Sequence, residues 1–252
     1  MKHVIRFVFI LLLIVTSVKA QPGYVPAKEN LQNREEFQDM KFGVFIHWGI
    51  YSMMANGEWI MNNRNIHYKE YAKLAEGFYP SKFDAARWVS DVKAAGAKYI
   101  CITSRHHDGF SMFATKQSPF NIVDAIPFKR DILKELADAG HKQGIKLHFY
   151  YSLLDWSRTD YYPLGRTGRG VGRTEHGRWD TYHQFMLNQL TELLTNYGEI
   201  GAIWFDGQWD QDQNPGFDWR LPEIYAHIHK LQPGCLIINN HHLTPIEGED
   251  AQ

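Results

Sequence analysis

Asp206 closes the apolar run 202–205 and is followed by Gly207. A carboxylate at the carboxyl end of a short apolar strand stands where α/β sheets collect their chemistry. Trp204, two residues earlier, shares its strand face. The pairing suits a nucleophile in sugar hydrolysis: the carboxylate attacks an anomeric carbon while aromatic rings pack on the sugar's apolar face. Taken alone, the segment reads more simply as an Asp that caps a helix or pins a turn.

Other strand ends change that balance. Residues 42–48 end in Ile46-His47-Trp48-Gly49, and residues 99–103 run into Ser104-Arg105-His106-His107-Asp108-Gly109-Phe110. Residues 146–151 end in Tyr150-Tyr151-Ser152, and residues 235–239 lead into Asn240-His241-His242. Polar or aromatic groups at every strand end describe a catalytic mouth. His106, His107 and Asp108 are metal-ligand types. Adjacent side chains on extended backbone point to opposite faces, however, and no i, i+4 helical His pair is present. No metal is expected. Neutral imidazoles and indoles beside carboxylates fit a hydroxyl-rich sugar better. A serine nucleophile lacks its Gly-x-Ser-x-Gly elbow, and Cys101 sits among apolar neighbours, a poor place for a reactive thiolate.

The elements that must hold these groups alternate. The five runs are nearly continuous in apolar residues, as parallel strands buried on both faces are. Between them lie helical patterns at 85–95, 130–143, 179–197 and 222–231, with Gly96, Gly144, Gly198 and Gly234 at or near their ends, suited to helix C-caps. The expected fold is α/β, a TIM-like (β/α) barrel. It is incomplete, because about five of eight βα units are visible, and the sequence reads as the front part of a longer enzyme. The Gly/Arg-rich stretch 165–173 falls between the third strand and its helix. It reads as a mobile solvated loop, with a lid or a contact for an acidic part of the substrate as the functional alternative.

Lys2, His3 and Arg6 precede an apolar run at 7–15, and Val18-Lys19-Ala20 places small residues three before and one before a cut. Residues 1–20 therefore read as a secretory signal peptide, leaving one catalytic domain at 21–252. The expected location is periplasmic, extracellular or lysosomal-type. A formal net charge of −1 with scattered signs argues against nucleic acid as a partner, and no run long enough for membrane insertion follows the leader. Cys101 and Cys235 both fall beside or inside apolar runs and read as separate buried thiols.

The residues quoted above, with Glu58-Trp59, resemble in order the motifs of the α-L-fucosidases of glycoside hydrolase family 29. The resemblance runs from about residue 42 to 240. It implies a retaining exo-hydrolase without metal or organic cofactor, acting on a fucosylated oligosaccharide or a glycoprotein glycan. Asp206 matches the family's nucleophile. His47, Glu58, His106 and His107 match positions that hydrogen-bond the fucose hydroxyls, and Trp59, Tyr151 and Trp204 match wall positions. Family members often carry Arg where this chain has His241. The family's acid/base is a Glu on a later loop, for which Glu247 and Glu249 are the candidates in this sequence. The rival readings are a retaining barrel glycosidase for another sugar, or a fucose-binding fragment without its acid/base.

Overall fold

Apolar runs flanked by helix caps fold here into one five-stranded sheet. The computed structural model describes residues 23–174, 176–241 and 244–251; the leader read at 1–20 lies outside them. The strands are β1 (Val44–Ile46), β2 (Tyr99–Arg105), β3 (Lys146–Ser152), β4 (Ala202–Asp206) and β5 (Leu236–Asn239). Each pairs in parallel with the next, in the order β1-β2-β3-β4-β5. The helices are α1 (Lys28–Met40), α2 (Ile60–Asn63), α3 (Tyr68–Ala72), α4 (Ala85–Ala94), α5 (Ile132–Gln143), α6 (Trp179–Asn196) and α7 (Leu221–Leu231). The α/β expectation holds. The helices that connect successive strands are α4 to α7.

Local chemistry sets their limits. Asp84 and Asp131 cap α4 and α5 by accepting from the backbone of Arg87 and Lys134, both at 3.0 Å, which satisfies donors that the first helical turn leaves free. Gly144 ends α5 at a φ of 72°, a left-handed cap that costs glycine nothing. β1 is shorter than its apolar run because a side chain takes over the pairing. The Thr103 hydroxyl accepts from Trp48 N at 3.0 Å and donates to Trp48 O at 2.7 Å.

Alternation divides the sheet into two faces. Ile100, Ile102, Leu147, Phe149, Tyr151, Ile203, Phe205 and Ile237 pack under α4 to α7 in the main core. On the other face Ala202, Leu236 and Ile238 form a smaller cluster with Phe37 and Trp204. Phe37 comes from α1, which the sequence pattern does not show. Its ring lies 5.5 Å from Tyr99 and 5.7 Å from His148. α2 and α3 are further elements that the pattern misses. After β5 the chain returns along that strand, with a single parallel bridge between Ala251 and Ile238. Cys101 and Cys235 are both buried free thiols.

His148 carries a pH consequence. Burial, then the charge of Lys146, lowers its ring pKa to about 3. Between about pH 6.5 and 3 the unfolded chain holds a proton there that the native chain does not. Its contribution is therefore intact above pH 6.5 and lost as pH falls. In the full-length protein, His148→Phe should flatten the fall of unfolding free energy over pH 6–4 by about 1.4 kcal/mol per pH unit. Denaturant melts across that range measure it, and parallel slopes for the two proteins would contradict it.

Candidate active site

Register brings the site together. Ser152 pairs with Asp206 and Tyr150 with Trp204, so all four side chains leave the face opposite the helices. Four donors hold the Asp206 carboxylate. Oδ2 accepts from the Tyr150 hydroxyl at 2.8 Å. Oδ1 accepts from Gly207 N at 2.8 Å, Trp209 Nε1 at 3.1 Å and Asn240 Nδ2 at 3.4 Å. His107 Nε2 stands 3.5 Å from Oδ2, too far for a good hydrogen bond. Gly207, at a φ of 100°, lets the chain turn straight from the strand so that its own N–H reaches the carboxylate. The side chain of Asp206 is 15% exposed, so a small window on it stays open.

Three imidazoles line one side. The His47 and His106 rings are 5.5 Å apart, His106 and His107 4.2 Å, and His106 stacks on Tyr150 at 5.4 Å. The expectation that His106 and His107 diverge is corrected. β2 ends at Arg105, and the turn closed by Gly109 N on His106 O at 3.0 Å swings both rings to one side. Burial, then the neighbouring imidazoles, lowers the His106 pKa well below its usual value. Burial, then Arg105 and His47, lowers that of His107 to about 3. Burial also lowers His47, against the charges of Glu58 and Asp206. The rings are thus neutral, each able to donate from one nitrogen and accept at the other. Tyr150 moves the other way, raised by burial and then by Asp206, so it remains a phenol and donates.

Aromatic rings adjoin the imidazoles. Trp59 stacks on Trp209 at 5.5 Å and meets His107 edge-on at 5.6 Å. Trp204 lies one step down the strand from Asp206, edge-on to Phe45 at 4.6 Å. The 165–173 stretch is pinned. Asp210 accepts from Tyr161 at 2.6 Å and from both Thr167 N and Oγ1, and Gly168 N donates to Asn62 Oδ1 at 2.8 Å. A Cβ on Gly165 would lie 1.8 Å from Asp210 Oδ2, so only glycine admits that clamp. It holds Arg166 over the Trp209 ring at 4.9 Å.

Three sequence candidates lie elsewhere. Tyr151 faces the helices, where its hydroxyl donates to Gln189 at 2.9 Å; the mouth receives Tyr150 instead, because parity along β3 follows Ser152 and Asp206. Glu249 is buried on the helix side. It accepts from the Tyr225 hydroxyl at 2.7 Å and Ile246 N at 2.9 Å, and pairs with His241 Nε2 at 2.8 Å. Glu247 is exposed and accepts from the backbone of Tyr24. Neither contacts Asp206. Trp209 is a site residue that strand-end reading passes over, and Ser152 is a strand-end residue to which that reading assigns no role. The signal for Trp209 was its place three residues after the carboxylate, within the same turn. Among the described residues no three of His, Cys, Asp and Glu are grouped to hold a metal ion.

A family model described as alpha-L-fucosidase matches residues 11–252. The chain belongs to the α-L-fucosidase family. The α-L-fucosidase of Dictyostelium discoideum is 32% identical over 248 residues, covering 88% of this chain and 51% of that one. Among solved structures, α-L-fucosidase isoenzyme 1 of Paenibacillus thiaminolyticus matches with a TM-score of 0.75 at 35% identity, covering 83% of this chain and 50% of that chain. The α-L-fucosidase AlfC of Lactobacillus casei, in complex with α-L-fucose product, matches at 0.74 and 34%, covering 82% and 70%. The chain spans about half the length of the curated α-L-fucosidases it matches.

Proposed function

We propose that this chain is the catalytic part of an exported, retaining α-L-fucosidase that removes terminal α-L-fucosyl residues from glycans, with its sheet forming five of the eight βα units of a (β/α) barrel. One observation carries the reading: a strand-end carboxylate held by four N–H and O–H donors, open to solvent between neutral imidazoles and stacked indoles. Asp206 attacks the anomeric carbon, an Oδ–C1 bond forms and the glycosidic C–O bond breaks. A second carboxylic acid protonates the departing oxygen, then takes a proton from the water that cleaves the fucosyl-enzyme. In such sites the two carboxyl groups stand about 5–5.5 Å apart. The tight bonding of Glu249 to Tyr225 and His241 suits an anchor for the returning chain better than that role. His47, His106, His107 and Glu58 hydrogen-bond the sugar hydroxyls, and Trp59, Trp209 and Trp204 supply apolar wall for its ring and methyl group.

A panel of nitrophenyl glycosides with the full-length protein tests the substrate. Release from the α-L-fucoside alone is expected, and comparable release from an α-galactoside would replace fucose with another sugar. Tyr150→Phe removes a hydrogen bond to a charged group and should lower kcat/KM by roughly 10- to 100-fold. Steady-state kinetics on the aryl fucoside reads this, and an unchanged value would mean that Tyr150 does not support the nucleophile.

A further inference from the structure

We infer that Ser152 is a positioning residue that fixes the tautomer of His107, leaving Nε2 as a bare acceptor beside Asp206 for a hydroxyl of the bound sugar. The inference rests on the fucosidase reading for its kinetic consequences and on geometry for the rest. The Ser152 hydroxyl lies 2.7 Å from His107 Nδ1 and donates to Leu154 O at 2.5 Å. A carbonyl only accepts, and a serine hydroxyl has one proton. That proton is committed to Leu154, so toward His107 the oxygen can only accept, and Nδ1 carries the hydrogen.

The ring is fully buried and neutral, so its Nε2 holds a lone pair. Nε2 faces Asp206 Oδ2 at 3.5 Å and has no hydrogen-bond partner. Two acceptors with no proton between them repel, and the pair is satisfied when a third group donates into it. A hydroxyl beside the carbon under attack is such a donor, whereas a hydrogen or a methyl ether at that place leaves Nε2 unpaired against Asp206 Oδ2, which keeps only its bond from Tyr150. The opposite tautomer would aim Nε2–H at Asp206 and draw charge away from the nucleophile. Ser152 thus keeps Asp206 reactive and makes the site select a hydroxyl. Its placement follows from register, since Ser152 stands opposite Asp206 at the last pair of β3 and β4. The turn that follows, closed by Leu153 N on Asp206 O at 2.8 Å, brings Leu154 O within reach.

The test uses the full-length protein. Nitrogen-15 NMR of the histidine rings, with His107 assigned by its loss in His107→Ala, should show a protonated-type Nδ1 and a bare-type Nε2. Ser152→Ala should lose that pattern and about 10- to 100-fold in kcat/KM, and Ser152→Thr, which keeps the hydroxyl, should restore both. In a His107→Ala background the further loss from Ser152→Ala should shrink to twofold or less, as expected for residues acting as one unit. A protonated Nε2 in the wild-type protein overturns the inference, and so does a Ser152→Ala loss that is undiminished without His107. The NMR reading needs no turnover, so a protein that hydrolyses no fucoside would refute the activity while leaving the tautomer still measured. If Ser152→Ala does not fold, the wild-type spectrum alone decides.

Discussion

Asp206→Ala in the full-length protein is expected to keep sugar binding and lose turnover of an aryl α-L-fucoside by several orders of magnitude, because among the described residues no other carboxylate touches the Tyr150, Trp209 and Asn240 donors. Azide should restore part of the rate. The small anion enters the vacated space, attacks C1 from the nucleophile's side and gives the fucosyl azide of inverted configuration. Retained binding, measured by titration with fucose, separates a chemical loss from an unfolded variant. Near-normal activity would remove Asp206 from the mechanism.

The second large effect lies behind the site. Arg105 is wholly buried on the helix side, bonded to Asp155 Oδ2 at 2.5 Å, Ser152 O at 2.6 Å and the Tyr182 hydroxyl at 3.0 Å. Its guanidinium lies over the Tyr151 ring at 4.7 Å. Asp155 in turn holds Ser157 and Arg158, and Trp156 N donates to His107 O at 2.7 Å. Arg105→Met leaves a buried carboxylate without its cation and should cost about 3–5 kcal/mol of stability. Arg105→Met with Asp155→Leu should recover part of that, since no isolated charge remains. Denaturant melts of both variants decide, and a loss below about 1 kcal/mol for the single change would show that the pair does not hold the loop.

The strands and the four connecting helices could be read from sequence because each has a strong pattern: apolar runs for strands covered on both faces, a stripe ending at glycine for the helices. α1 could not. Its sequence KENLQNREEFQDM has no stripe, and beside Phe37 it docks through polar groups: Asn33 donates to Gly234 O at 2.6 Å, and Arg34 and Glu36 pair with Asp250 and Lys146. The site was legible to the strand ends and no further. That Asp206 sits in a mouth follows from the chain of strand-end residues, but Tyr150 rather than Tyr151 faces it because register with β4 decides parity. His106 and His107 converge because the backbone leaves extended geometry at Arg105, which adjacent residue types do not encode. Glu249 looked available because it lies late and in a polar stretch. Its cage of Tyr225 and His241 forms only when the chain folds back along β5.

The most direct measurement is to trap the intermediate. Incubation of the full-length protein with a 2-deoxy-2-fluoro-fucosyl fluoride slows breakdown of the fucosyl-enzyme more than its formation. Peptide mapping by mass spectrometry should then place a single fluorofucosyl adduct on Asp206, and inactivation should be slowed by added fucose. An adduct on another carboxylate, or a stoichiometric inactivation with Asp206 unmodified, would contradict the account.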